Sequence, residues 1–191
     1  MLTERIKGAF TFRKGVYAEV EQDPSFTQTA WILVAVVALL NQLGSFASGN
    51  ILGWLIGAVV GTIFAVAGFA VGALVINWVG RTVFKAEVTF EELVRTLGLA
   101  YIWQVVGVLG IISAFSTTLS CVLAPIMVIA TVLMIIAWFM AAKEALDLDW
   151  VQTIVTVILG WIALFVITSL AALILGILGF GTAALFGGIG G

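Results

Sequence analysis

The sequence has no histidine, one cysteine, and charge on only 9% of its residues. Without histidine, the commonest general base and transition-metal ligand is missing, and no HExxH-type site can exist. The lone Cys121 excludes an internal disulfide and any multi-cysteine metal centre. It reads as a small packing residue rather than a nucleophile. Ser116, Thr117 and Ser120 have no base beside them, and no P-loop or GxGxxG motif opens a helix after a strand. A formal charge of −2 argues against nucleic acid, which attracts a basic stripe. These absences point to a non-enzyme with no metal, no cofactor and no nucleic-acid partner.

What the chain does have is apolar surface. Hydrophobic residues make up 63% of it and the mean hydropathy is +1.26, whereas a soluble domain carries roughly 25% charged residues. There is too little polar surface to cover a globule in water, so the surface must face lipid. The expected fold is all-α, an integral membrane bundle.

The charges fall in three clusters, Glu4 to Asp23, Arg81 to Arg95 and Lys143 to Asp149, separated by the uncharged stretches 24–80 and 96–142 and followed by an uncharged tail, 150–191. A span needs about 20 apolar residues, so each internal stretch holds two spans and a tight hairpin. The spans are placed near 28–47, 52–78, 97–115, 121–142 and 151–178, which makes five. Ser48-Gly49-Asn50 marks the first hairpin, the Ser/Thr run from Ser113 to Ser120 the second, and Pro125 sits in an early turn of the fourth span. The tail reads as one long span with a glycine-rich end, because two would lack a usable turn.

Two spans per stretch put all three clusters on one side, which the positive-inside rule assigns to the cytoplasm. That face carries Arg5, Lys7, Arg13, Lys14, Arg81, Lys85, Glu91, Glu92, Arg95 and Lys143. The N-terminus is then inside and the C-terminus outside. No cleavable leader is expected, since the first long apolar run starts near Trp31, behind a charged segment.

Residues 1–23 form a separate cytoplasmic or interfacial segment, and 24–191 the transmembrane domain. Ile6, Ala9, Phe10, Val16, Tyr17 and Val20 recur at helical spacing, so residues 3–22 predict one amphipathic helix lying on anionic headgroups. Arg13 interrupts that face, and Phe12 and Gly15 lie off it. Asp23-Pro24 is a helix-start signal. Thr89-Phe90-Glu91-Glu92 matches a capping box, and Asp149 repeats the role before the fifth span.

Within the spans, Gly53, Gly57, Gly61 and Ala65 recur every fourth residue, followed by Gly68 and Gly72. Such a row lets a neighbouring backbone approach closely, either inside the chain or on a partner. Ala172 and Gly176 make a shorter version. Asn41, Gln42, Asn77 and Gln104 are the polar residues inside the spans. They are read as inter-helix hydrogen bonds or as the lining of a polar cavity.

The middle loop carries Gly80-Arg81-Thr-Val-Phe-Lys85, then Val88-Thr-Phe-Glu-Glu-Leu-Val-Arg95, then Gly98-Leu-Ala-Tyr101-Ile102. This resembles the "GR…(S/T)FEEL…GYA.IP" stretch of the Yip-one domain family, the Ypt-interacting proteins and their prokaryotic relatives. The Asp-Pro before the first span and Ala141-Ala142-Lys143-Glu144-Ala145-Leu146 at the end of the fourth are similar too. Trp103 stands at the family's proline and Leu99 where a tyrosine is usual. The long N-terminal region of eukaryotic members is absent, so the chain looks more like a prokaryotic member. The resemblance implies five spans with a cytosolic N-terminus and, for eukaryotic members, a link to prenylated Rab GTPases and Golgi or vesicle membranes.

Three functions remain open. The first is a membrane-organising protein or accessory subunit that works through other membrane subunits or self-association within the lipid bilayer. The second is a small-solute permease or channel, and the third a Rab-linked trafficking factor. The membrane would be the plasma membrane in a prokaryote and the ER or Golgi in a eukaryote.

Overall fold

The computed structural model describes residues 2–45, 47 and 51–177. Ser48-Gly49-Asn50 and the glycine-rich end, residues 178–191, lie outside it, and for Ala172 and Gly176 only the backbone course is described. The described residues are all-helical. In chain order they form α1 (Leu2–Phe10), α2 (Val16–Glu21), α3 (Phe26–Ser45), α4 (Ile51–Val83), α5 (Phe90–Ala100), a 3-10 helix (Tyr101–Leu109), α6 (Gly110–Phe115), α7 (Thr117–Leu146) and α8 (Trp150–Ile177). Four helical segments are long and apolar enough to cross a membrane: Phe26–Ser45, Ile51–Val83, Phe90–Ala114 and Thr118–Leu146.

The N-terminal segment differs from the single helix predicted for residues 3–22. Phe12 and Gly15 adopt left-handed backbone angles, φ 51° and 80°, and the chain turns between α1 and α2. A left-handed residue ends a helix because the following amide can no longer reach back four residues. The turn explains the imperfect periodicity, since Arg13 sits in it rather than on a helix face. Val16, Tyr17 and Val20 of α2 are buried, and α2 packs on α5 and α7. Ala9, Val16, Tyr17 and Val20 of the apolar stripe are thus covered by protein, while Ile6 and Phe10 are half-buried.

The helix starts follow the residues. Thr89 and Glu92 form the capping box: the Glu92 amide donates to Thr89 Oγ1 at 3.2 Å and the Thr89 amide to Glu92 Oε2 at 2.7 Å. Before α8, the Gln152 amide donates to Asp149 Oδ1 at 2.9 Å. Helix α7 begins at Thr117, earlier than the span placed at 121, with Ser116 accepting from the Leu119 amide. Pro125 therefore lies two turns inside rather than in an early turn, and the helix continues through it. A proline there removes one backbone hydrogen bond.

The interior is built around α5, whose residues from Leu93 to Ala100 are all buried, between α2, α3, α4 and α7. An aromatic chain ties the rest together. Phe69 of α4 meets Trp31 at 5.6 Å, Tyr101 at 5.4 Å and Trp138 at 6.4 Å, each edge-to-face, and Trp138 meets Trp161 of α8. Such pairs contribute about 0.5–1.5 kcal/mol each beyond their buried area.

The 3-10 helix is long for its kind and runs parallel to α3. Gly98 approaches Ala30, while Gly107 and Gly110 approach Asn41 and Gly44. Between Ala30 and Gly44 the α3 backbone rises about 21 Å, whereas an all-α run from Gly98 to Gly110 would rise about 18 Å. Winding most of that run as 3-10 helix raises it to about 22 Å. The tighter winding lets glycines at both ends meet α3 in register.

Candidate functional site

The three charge clusters meet at one end of the bundle, where side chains from α2, α3, α5 and α7 converge. Arg95, on the first turns of α5, was placed by the sequence on the charged face, yet it is only 6% exposed. Its guanidinium reaches back across the bundle. Nε donates to the Glu21 carbonyl at 2.9 Å, Nη2 donates to the same oxygen, and Nη1 donates to Thr27 Oγ1 at 3.2 Å. Because α5 starts at the capping box, Arg95 falls one turn inside it, level with the end of α2 and the start of α3.

Around this hook, Arg5 pairs with Asp23 at 2.8 Å and lies 5.0 Å over the Phe26 ring. Asp23 also accepts from the Ser25 hydroxyl and amide. Ser25 first, then Arg5, hold the Asp23 carboxyl below its usual range. Arg13 pairs with Glu19 at 2.7 Å and Lys7 with Glu4 at 3.6 Å. Lys143 donates to the Leu148 carbonyl and sits 5.5 Å over Trp150. Lys14, Arg81, Lys85 and Glu91 are exposed. Burial, then Asp147, Glu92 and Glu144, raise the Glu21 carboxyl to about 7, with Arg95 pulling the other way. Among the described residues no His, Cys, Asp and Glu group of three comes close enough to hold a metal ion.

The polar residues of the spans do not converge on one place. Asn41 Nδ2 donates to the Gln104 carbonyl at 2.9 Å, joining α3 to the 3-10 helix. Both residues line a cleft of about 240 Å³, with Trp103, Gly107, Thr131, Met127 and Met134 among its other walls. Asn77 lies elsewhere, on α4, and donates to the Val88 carbonyl at 3.1 Å, holding the loop before α5. Gln42 is half-buried and does not line the cleft.

Two glycines of the row, Gly68 and Gly72, lie away from any close helix contact. At Gly68 and Gly72 an added Cβ would meet nothing within 4 Å. Gly53 is exposed, and Gly57, Gly61 and Ala65 are half-buried. At Gly44, by contrast, a Cβ would fall on the Gly107 carbonyl oxygen and 2.8 Å from its carbon, and at Gly110 it would lie 2.7 Å from the Gly44 oxygen. Sequence reading missed these glycines because they sit on three separate segments and make no row. Trp103 packs between Phe10 at 4.9 Å and Phe12 at 5.6 Å and so fastens α1 to the bundle.

The Yip1 domain profile matches residues 7–173, a range that takes in the charged-end hook, the capping box and the α3 contact. The chain belongs to the Yip1 domain family. The "TFEEL" stretch has a physical role in this chain. Thr89 and Glu92 cap α5, and Leu93 is fully buried beneath them. Together they set the start of the helix from which Arg95 of this Yip1 domain reaches Glu21. No curated protein and no solved structure matches the chain.

Proposed function

We propose that this Yip1-domain membrane protein is non-enzymatic and acts through its surfaces, as a membrane-organising protein or an accessory subunit of a larger membrane complex. The observation that carries this reading is where its polar groups go. Asn41, Asn77 and Arg95 all donate to backbone carbonyls of other segments, so each fastens the bundle, and the cleft that Asn41 and Gln104 line is not shared by Asn77 or Gln42. A solute pathway would call for these residues on one hydrated route, and they fall in separate places. What remains available is outer surface. One such surface is the apolar flank of α4, where Leu55, Val59, Ile63 and Phe64 are exposed beside the glycine row. The other is the charged end.

In this reading α8 is the fifth span. The charged end, with Lys14, Arg81 and Lys85, faces the cytoplasm under the positive-inside rule. Partners are bilayer lipid and either other membrane subunits or a second copy, and no cofactor takes part. The test is photo-crosslinking in native membranes from residues introduced at Val59 and Ile63, followed by mass spectrometry. A stoichiometric protein adduct, or a self-adduct, is the expected result. Adducts to lipid alone from every position, or solute flux into liposomes holding only this protein, would overturn the reading.

A further inference from the structure

Where α4 ends, the chain turns back beside it and leaves a pocket of about 330 Å³ lined by Arg81, Ala86, Glu87, Val88 and Thr89. The Phe84 and Ala86 amides both donate to the Gly80 carbonyl at 3.1 Å, and Lys85 between them is left-handed, φ 59°. The residues that follow alternate. Ala86 and Val88 are buried, whereas Glu87 and Thr89 are exposed. Asn77 pins the Val88 carbonyl to α4, and the capping box with Glu92 holds Thr89. The pocket therefore has a fixed floor and outward-facing polar walls.

Its two charges are opposite and unmatched. Arg81, from the last turn of α4, and Glu87 line the same pocket. Among the described residues neither side chain has an ion-pair or hydrogen-bonding partner. The Thr89 hydroxyl accepts from the Glu92 amide, which leaves its own proton to donate. An apolar track leads up to this polar pocket. Leu74, Trp78 and Arg81 follow at i, i+4 and i+7 and so share one face of α4, with Leu74 51% and Trp78 65% exposed. Tryptophan at the end of a span sits at the level of lipid headgroups, and Arg81 lies one turn beyond it.

We propose that this pocket binds the headgroup of an ethanolamine phospholipid of the cytoplasmic leaflet, with the phosphate on Arg81, the ammonium on Glu87 and the acyl chains along Trp78 and Leu74. The assignment names one lipid among the partners proposed above and rests on that membrane placement. Guanidinium takes phosphate oxygens through a fork of N–H donors. Glu87 repels a headgroup that is only anionic, and accepts from a primary ammonium, which has three N–H donors. Choline has none and is held by aromatic cages, whereas no aromatic side chain lines this pocket among the described residues. The volume lies at the low end of small-molecule pockets, about 300–1,000 Å³, which suits a headgroup whose tails stay outside on α4.

Native mass spectrometry of the full chain, titrated in turn with ethanolamine, choline and glycerol phospholipids of identical chains, tests the site. The ethanolamine lipid should bind about two- to fivefold more tightly than the other two, the size of one exposed ion pair. Glu87→Gln should remove that preference, Arg81→Gln should weaken all three lipids alike, and Lys14→Gln, outside the pocket, should change none. An excess of water-soluble glycerophosphoethanolamine should leave the lipid adduct in place, and displacement by it would overturn the lipid as the source of the headgroup. Equal affinity of the wild type for the three lipids would overturn the proposal. So would a preference that survives Glu87→Gln, or a loss on Lys14→Gln as large as that on Arg81→Gln. The crosslinks from Val59 and Ile63 are read separately. Protein adducts there without headgroup selectivity would sink this site alone, and selectivity with lipid-only adducts would sink the wider reading alone.

Discussion

Adding one methyl group at Gly44 and at Gly68 should produce stability changes of opposite sign. At Gly44 the new Cβ meets backbone, the Gly107 carbonyl group, with its carbon 2.8 Å away. A carbonyl has no rotamer by which to move aside, so α3 and the 3-10 helix must separate along their contact. Overpacking of this kind costs about 1–3 kcal/mol, and rigid backbone puts Gly44 at the upper end. Alanine recovers about 1 kcal/mol through its better helix propensity. The net loss for Gly44→Ala is about 2 kcal/mol, or roughly thirty-fold in the folding equilibrium. At Gly68 nothing lies within 4 Å of the added Cβ, so only the propensity acts and Gly68→Ala should gain about 0.5–1 kcal/mol. Reversible unfolding in mixed detergent micelles, followed by far-UV circular dichroism, reads both changes. A Gly44→Ala protein as stable as wild type would refute the reasoning. A Gly68→Ala protein that loses as much as Gly44→Ala would refute it as well.

Three further outcomes follow from the same contacts. Arg95→Met removes charge-assisted bonds worth about 1.5–3 kcal/mol each when well formed and should release α2, seen as faster hydrogen exchange over Val16–Glu21 with little change in α7. Thr89→Ala breaks the capping box and should cost about 1 kcal/mol in the same unfolding assay, while Thr89→Ser restores it. Asn41→Leu removes the bond to the Gln104 carbonyl and should cost about 0.6 kcal/mol, a usual size for inter-helix hydrogen bonds in membranes.

Much of the fold was legible in the sequence because membranes restrict backbone so severely. Between the charges at Glu4–Asp23, Arg81–Arg95 and Lys143–Asp149 the chain is uncharged, and the four long apolar segments fill those gaps, three of them running a few residues into the neighbouring charge cluster. The capping residues Thr89, Glu92 and Asp149 were legible too, since a cap is set by neighbours three residues apart. The site was less so. Arg95 looked like surface charge, as its distance from Glu21 along the chain hides a contact made across the bundle. Arg5 and Arg13 kept the ion-paired positions that charge favours.

The sequence alone determined the solvent, the helical class and the clustering of charge, because each depends on composition or on spacing within a helix. Only the tertiary structure decided which glycines carry the close contact. Gly68 and Gly72 belong to a row conspicuous by its period, yet an added Cβ there meets nothing, since closeness is a property of two backbones. It falls at Gly44, Gly107 and Gly110, where α3 and a 3-10 segment come into register. It also decided that the basic amphipathic segment folds back in two pieces, because a left-handed turn at Phe12 and Gly15 depends on what Phe10, Phe12 and Val16 find to pack against.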